Sequence, residues 1–151
     1  VHEIAPMRFI SVILPGMIKR QKGAIINVAS IAGFMPVPGL SVYCAVKRFL
    51  KRYTQSLHLE LRDKGIKVQA LCPPYMDTNW GKECFSERLQ DGLAKTKGME
   101  PEKVVDCSLN ALKKNKWVCV PRVSNRMMTR LFPSLPAGMY YSVGKRMTPF
   151  G

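Results

Sequence analysis

Tyr43 and Lys47 stand four positions apart in the run Tyr43-Cys44-Ala45-Val46-Lys47. On a helix, residues i and i+4 lie on one face, one turn apart. An ammonium held there favours the phenolate and draws a tyrosine pKa from its usual ~10 toward neutrality. A tyrosine tuned in this way acts as a general acid or base, a role typically worth ~10²–10⁴ in rate. The pair alone is a weak signal, because on most helices it is a packed ring beside a solvated amine. Ser30 adds a third group. It ends an apolar run thirteen residues before Tyr43, so a loop between them can bring both to one pocket. A serine hydroxyl placed there donates to a substrate carbonyl oxygen and stabilises charge developing on it.

These groups need elements to position them. Residues 4–20 read as a helix: Ile4, Met7, Ile10, Ile13, Leu14 and Met17 recur at helical spacing, Pro6 is tolerated in the first turn, and Gly23 is expected to stop the helix. Residues 24–29 form a short apolar run, expected as a strand buried on both faces of a parallel sheet. Residues 30–40 form a loop punctuated by glycine and proline. Ser41 is expected to cap a helix running to about Lys64, with Gly65 just past its end. Tyr43, Val46, Leu50, Tyr53, Leu57 and Leu61 make one apolar stripe on that helix, and Ala45, Phe49 and Leu59 a second. Residues 66–71 read as the next strand. A weakly patterned helix is expected over 82–95, and another opens at Pro101 with the stripe Val104, Val105, Ser108, Leu109 and Leu112. Residues 117–120 read as a short strand, and the tail 122–151 as two short helices. Strands alternating with helices define an α/β fold with a parallel sheet. In open sheets of this kind ligands bind beyond the carboxyl ends of the strands, which is where Ser30 falls.

Asn27 with Ser30, Ala32-Gly33, Tyr43 with Lys47, and Pro73 with Thr78 follow one another in an order and spacing that resembles the short-chain dehydrogenase/reductase family. The tail is similar to the branch holding DltE-type oxidoreductases and the hydroxysteroid and long-chain ketoacyl reductases. The resemblance implies the C-terminal part of a doubly wound Rossmann-type sheet over 1–121, with a basic and apolar extension over 122–151. It implies an oxidoreductase that interconverts a carbonyl and an alcohol with NAD(P)(H), NADP(H) being favoured. Tyr43 would be the proton donor or acceptor, Lys47 would lower its pKa and bond the nicotinamide ribose, and Ser30 would position the substrate oxygen. Pro73 to Thr78 would contact the nicotinamide end of the cofactor. The substrate would be an apolar carbonyl compound, such as an acyl chain or a steroid-like ring. A homodimer through helices 4–20 and 41–64 is also implied.

Three features depart from the family pattern. The glycine-rich dinucleotide fingerprint is missing from these residues, so the chain is expected to be a fragment that neither binds cofactor tightly nor turns over alone. Pro74 stands where a glycine is usual. His2 falls near the family's proton-relay asparagine, and a frayed end of no consequence is the favoured reading there.

Lys and Arg number 24 against 10 acids, a net charge of +14. That imbalance suits nucleic acid, an anionic membrane surface or a phosphorylated ligand, and the favoured expectation is that an acidic segment or partner balances it. The basic residues are spread along the chain without a helix-turn-helix, zinc or RNA-binding motif, which argues against nucleic acid. The tail interleaves Lys116, Arg122, Arg126, Arg130, Lys145 and Arg146 with Met127, Met128, Leu131, Phe132, Met139, Tyr140 and Tyr141, a pattern that fits a substrate lid or subunit contact with a solvated basic face, or peripheral membrane contact. The five cysteines show no CxxC pair or Cys/His cluster, so no metal site is expected. Free thiols and the lack of a signal peptide or a membrane-length apolar run point to a cytoplasmic chain. The alternatives to an enzyme are an inactive truncated remnant and a basic module binding nucleic acid or a membrane surface.

Overall fold

The computed structural model describes residues 3–37, 39–76, 78 and 98–147, with side chains to residue 142. The expected helix over 82–95 and the relay reading of His2 lie outside the described residues.

The apolar runs bounded by turn residues form three parallel strands. β1 (Gly23–Val28), β2 (Ile66–Leu71) and β3 (Val118–Cys119) lie side by side in that order. Parallel neighbours need a crossover, and α2 (Ser41–Glu60) supplies it between β1 and β2. α1 (Ile4–Lys19) leads into β1, and α3 (Pro101–Lys113) precedes β3. After β3 come α4 (Val123–Leu131) and α5 (Ala137–Met147), the two helices expected of the tail. Asn27 pairs with Ala70, Val28 with Leu71, and Leu71 with Cys119, so the strands end level. That register sets the loops after β1 and β2 beside each other.

One core lies between β1, β2, α1 and α2. Ile10, Ile25, Leu57, Leu61, Ile66 and Val68 are buried there, with Leu14, Met17 and Tyr53 packed on their margin. On the other face Leu71, Val104 and Cys119 form a second cluster under α3. α3 covers β2 and β3 but leaves part of β1 open: Ala24 is exposed and Val28 is 51% exposed. The expectation that β1 is buried on both faces is therefore corrected, since α3 reaches only as far as Ile26.

Helix boundaries bring three more corrections. Ser41 is not a cap: Leu40 holds that position and accepts the Cys44 N–H at 2.8 Å, while Ser41 is already helical. α2 ends at Glu60, and a single 3-10 turn (Arg62–Lys64) carries the chain to Gly65, whose φ of 67° is the left-handed conformation expected there. The left-handed residue after α1 is Gln21 (φ 48°), not Gly23, which begins β1. Gln21 and Gly65 meet: a Cβ on Gly65 would stand 2.1 Å from the Gln21 carbonyl oxygen.

The stripes on α2 also differ from expectation. Its buried residues are Cys44, Leu50, Lys51, Thr54 and Leu57. Tyr43, Val46 and Tyr53 are half-buried, and Ala45, Phe49 and Leu59 are exposed. On α3, Val104 and Ser108 are buried, whereas Val105 and Leu109 of the expected stripe face outward.

Candidate functional site

The site grows from the first two turns of α2. Lys47 Nζ lies 5.7 Å from the centroid of the Tyr43 ring, as the i, i+4 spacing requires. The same ammonium donates to the Val28 carbonyl oxygen at 2.9 Å. That carbonyl is the last of β1, so the sheet itself fixes where the charge sits. The ammonium has three donors and the carbonyl takes one. Burial lowers the Lys47 pKa from the ordinary lysine range, and the neighbouring Cys72 thiol offsets part of that shift. A desolvated cation so close to a phenol polarises it more than one in water does.

Ser30 follows two residues after Val28 and is 8% exposed. Its backbone is extended, and its Oγ accepts the Ala32 N–H at 3.1 Å, opening a 3-10 turn over Ile31–Phe34. The Oγ spends a lone pair on this bond and keeps its proton as a donor. The Gly33 N–H bonds the Ser30 carbonyl at 3.1 Å and closes the turn. Gly33 has a packing reason to be glycine. A Cβ there would lie 2.9 Å from both the carbonyl carbon and the carbonyl oxygen of Lys47. The turn carrying Ser30 thus rests directly on the backbone of the helix carrying Lys47.

Asn27 completes this support. Its side-chain amide donates to Thr54 Oγ at 2.9 Å, and that hydroxyl donates to the Leu50 carbonyl at 2.6 Å. β1 is thereby tied to α2 by a polar bond about three turns beyond the tyrosine. The Ile31 N–H bonds the Pro73 carbonyl at 3.2 Å, which joins the Ser30 turn to the segment after β2. Pro73 is buried beside that turn. Thr78 makes a local bond, its N–H to the Met76 carbonyl at 3.0 Å.

Sequence reasoning missed Lys51 and Cys72 as parts of this region. Lys51 lies one turn beyond Lys47 and is only 7% exposed. Its Nζ sits 3.5 Å from the centroid of Phe34, the last residue of the Ser30 turn. Burial lowers its pKa to about 8, with the Cys72 thiol opposing that shift and Arg48 and Arg52 adding to it. The cation–π contact is its compensating interaction in an apolar setting. Cys72 follows β2 directly; burial pushes its thiol up to about 12, against Lys51, a bond to the Ser30 backbone and Lys47. The available signal was the i, i+4 step from Lys47 to Lys51, which repeats that from Tyr43 to Lys47.

Among the described residues there is no cluster of three or more His, Cys, Asp or Glu side chains able to hold a metal ion. None of their helices is long and apolar enough to cross a membrane. A tunable phenol, a fixed cation and a hydroxyl donor stand at the carboxyl ends of parallel strands, an arrangement suited to moving a proton to or from an oxygen.

Comparison with known proteins shows likeness to one family. A model of the short chain dehydrogenase family matches residues 4–89. The very-long-chain 3-oxoacyl-CoA reductase of Bos taurus is 40% identical over 82 residues, 54% of this chain and 26% of that protein. The inactive hydroxysteroid dehydrogenase-like protein 1 of Homo sapiens is 38% identical over 79 residues, 52% of this chain and 24% of that protein. The chain thus spans about a quarter of the length of these curated relatives. Among solved structures, a short-chain dehydrogenase from Sphingobium yanoikuyae in complex with NADPH superposes with a TM-score of 0.71 at 27% identity, over 99% of this chain and 56% of that one.

Proposed function

Because the chain belongs to the short-chain dehydrogenase family, we propose that it serves an oxidoreductase interconverting a carbonyl and an alcohol with NAD(P)(H), with Tyr43 as its general acid and base. The observation that carries this reading is Lys47, bonded to the Val28 carbonyl with the Tyr43 ring 5.7 Å away. In reduction Tyr43 gives its hydroxyl proton to the carbonyl oxygen, and in oxidation it takes the proton of the alcohol. Lys47 holds the phenol's pKa low, and the Ser30 hydroxyl donates to the same substrate oxygen. The nicotinamide dinucleotide, when bound, supplies or accepts the hydride.

The residues present fit that cofactor. Lys47 retains donors that suit a ribose hydroxyl, and Pro73 and Thr78, in the segment bonded to the Ser30 turn, would contact the nicotinamide end. NADP(H) is favoured by the net charge of +14 and by the NADPH complex of the Sphingobium yanoikuyae protein. An apolar substrate is favoured by the likeness to very-long-chain 3-oxoacyl-CoA reductase. Residues 1–151 carry no glycine-rich fingerprint, so by themselves they neither bind the dinucleotide tightly nor turn over.

The test is Tyr43→Phe in a protein that joins these residues to a glycine-rich dinucleotide loop. The expected result is a kcat lowered by ~10²–10⁴ with little change in cofactor affinity. An unchanged kcat would remove Tyr43 from the chemistry, and the absence of any turnover in the parent would favour an inactive relative. Tight dinucleotide binding by residues 1–151 alone, measured by calorimetry, would overturn the statement about the isolated chain.

Two association surfaces accompany this reading. Phe9 and Val12 on α1, with Val42, Phe49 and Leu59 on α2, are exposed apolar residues, which supports a homodimer through these helices. Val123, Met127 and Leu131 form an exposed stripe at four-residue steps on α4 beside Arg126 and Arg130, which supports peripheral contact of a cytoplasmic protein with an anionic membrane. A monomer in sedimentation equilibrium, or no co-sedimentation with phosphatidylserine vesicles, would remove the respective surface.

A further inference from the structure

Away from the site, two thiols face each other across α3 and β3. Cys107 is half-buried on α3, and Cys119 is 4% exposed in β3. Their sulfur atoms are 3.7 Å apart although twelve positions separate them in sequence. The approach follows from packing. α3 lays Val104 on Leu71 and Cys119, and Cys107, nearly one turn further along the helix, meets the Cys119 sulfur on the margin of the same cluster. At this separation the two sulfurs are already in contact, and a disulfide asks them to close to roughly 2 Å.

The surroundings give the two thiols different parts. Burial, together with the neighbouring Cys107, pushes the Cys119 thiol up to about 12. Arg126 of α4 opposes that shift, and its guanidinium is fixed by donating to the Val120 carbonyl at 2.8 Å. Cys107 is the thiol that solvent reaches, and Cys119 is the one waiting behind it. Cys72 also lies near, its N–H bonding the Cys119 carbonyl at 2.8 Å. It is 0% exposed, and its sulfur donates toward the Ala70 carbonyl at 3.9 Å.

We propose that Cys107 and Cys119 are a site of reversible oxidation, forming an intramolecular disulfide when the chain meets a peroxide. The Cys107 thiol gives up its proton as its sulfur attacks one peroxide oxygen; the O–O bond breaks, the leaving hydroxide takes up that proton and departs as water, and Cys107 becomes a sulfenic acid. The Cys119 sulfur then attacks the Cys107 sulfur. The S–O bond breaks, the hydroxide leaves as water with the Cys119 proton, and the S–S bond forms. Two thiols lose two electrons in total, and one peroxide is reduced to two waters. A dithiol reductant reverses the link by exchange. The link closes the chain between α3 and β3 and holds that helix to the sheet.

The experiment treats the intact chain with hydrogen peroxide, alkylates the remaining thiols and maps peptides without reduction. The expected result is one linked peptide joining Cys107 to Cys119, lost on treatment with dithiothreitol. The link is absent in Cys107→Ser and in Cys119→Ser, and present in Cys72→Ser. Oxidation should also raise the Tm of the wild-type chain by on the order of 5 °C, an effect absent in Cys107→Ser. Separate alkylation of Cys107 and Cys119 after peroxide would overturn the proposal, and so would a link from Cys119 to Cys72 or Cys84. The wild-type map decides by itself, so a variant that fails to fold does not shield the proposal.

Discussion

The two halves of α2 press on the same sheet with different materials. Its second half lays Leu57, with Leu61 just beyond, against Ile25, Ile66 and Val68, and Ile10 of α1 closes this hydrocarbon core. Its first half turns Lys47 inward, Lys51 follows where the two halves meet, and Thr54 just beyond is paired with Asn27 by a hydrogen bond. Hydrocarbon packing stabilises wherever it occurs, roughly in proportion to the area buried. A buried cation is costly unless it is compensated, so it persists where a charge has to be held in a defined place. The comparison teaches that one end of the sheet holds the fold together while the other spends part of that stability on fixing two ammonium groups beside Tyr43 and the Ser30 turn.

Three measurements break or sharpen this contrast. The largest expected effect is at the hydrocarbon end. Leu57→Ala should destabilise the chain by about 2–5 kcal/mol in denaturant unfolding, because the surrounding core relaxes only partly around the gap. A loss below ~1 kcal/mol would mean that this end does not carry the fold. Next, Gly33→Ala should cost about 1–3 kcal/mol, since the new methyl meets Lys47 backbone that cannot step aside. A neutral result would show that the Ser30 turn lifts freely off α2.

The smallest effect concerns Lys51 and depends on pH. Its folded pKa of about 8 lies below the ordinary 10.5, so the folded chain releases this proton first. Between those values the unfolded chain binds more protons, and stability rises with pH. Relative to Lys51→Met, the wild type should gain roughly 1–2 kcal/mol as pH is raised through that window. A difference that stays flat from pH 8 to 10.5 would place the ammonium in water and erase the contrast between the two halves.

How much of this was legible beforehand varies residue by residue. The Tyr43–Lys47 geometry was readable because a helix places i and i+4 together regardless of what surrounds it. The three strands were readable from apolar runs between turn residues. Lys51 was not, because a lysine on a helix is ordinarily solvated, and only Phe34 and Cys72, brought over from two other segments, make its position apolar. The role of Gly33 was visible as part of a motif, but its reason needed the contact with Lys47. Ser41 looked like a cap because serine often is one, yet the chain enters α2 through Leu40 and leaves Ser41 already helical.

By itself the sequence determined the alternation of strands and helices, the helical spacing of Tyr43 and Lys47, and the placement of Ser30 after a strand. These depend on neighbours within a few residues, where backbone geometry sets the outcome. The tertiary structure alone decided which carbonyl anchors Lys47, that Lys51 is buried on an aromatic face, that β1 stays partly open, and that Cys107 meets Cys119. Each of those joins segments at least a dozen residues apart, and such contacts follow from strand register and helix packing, which no local pattern of residues encodes.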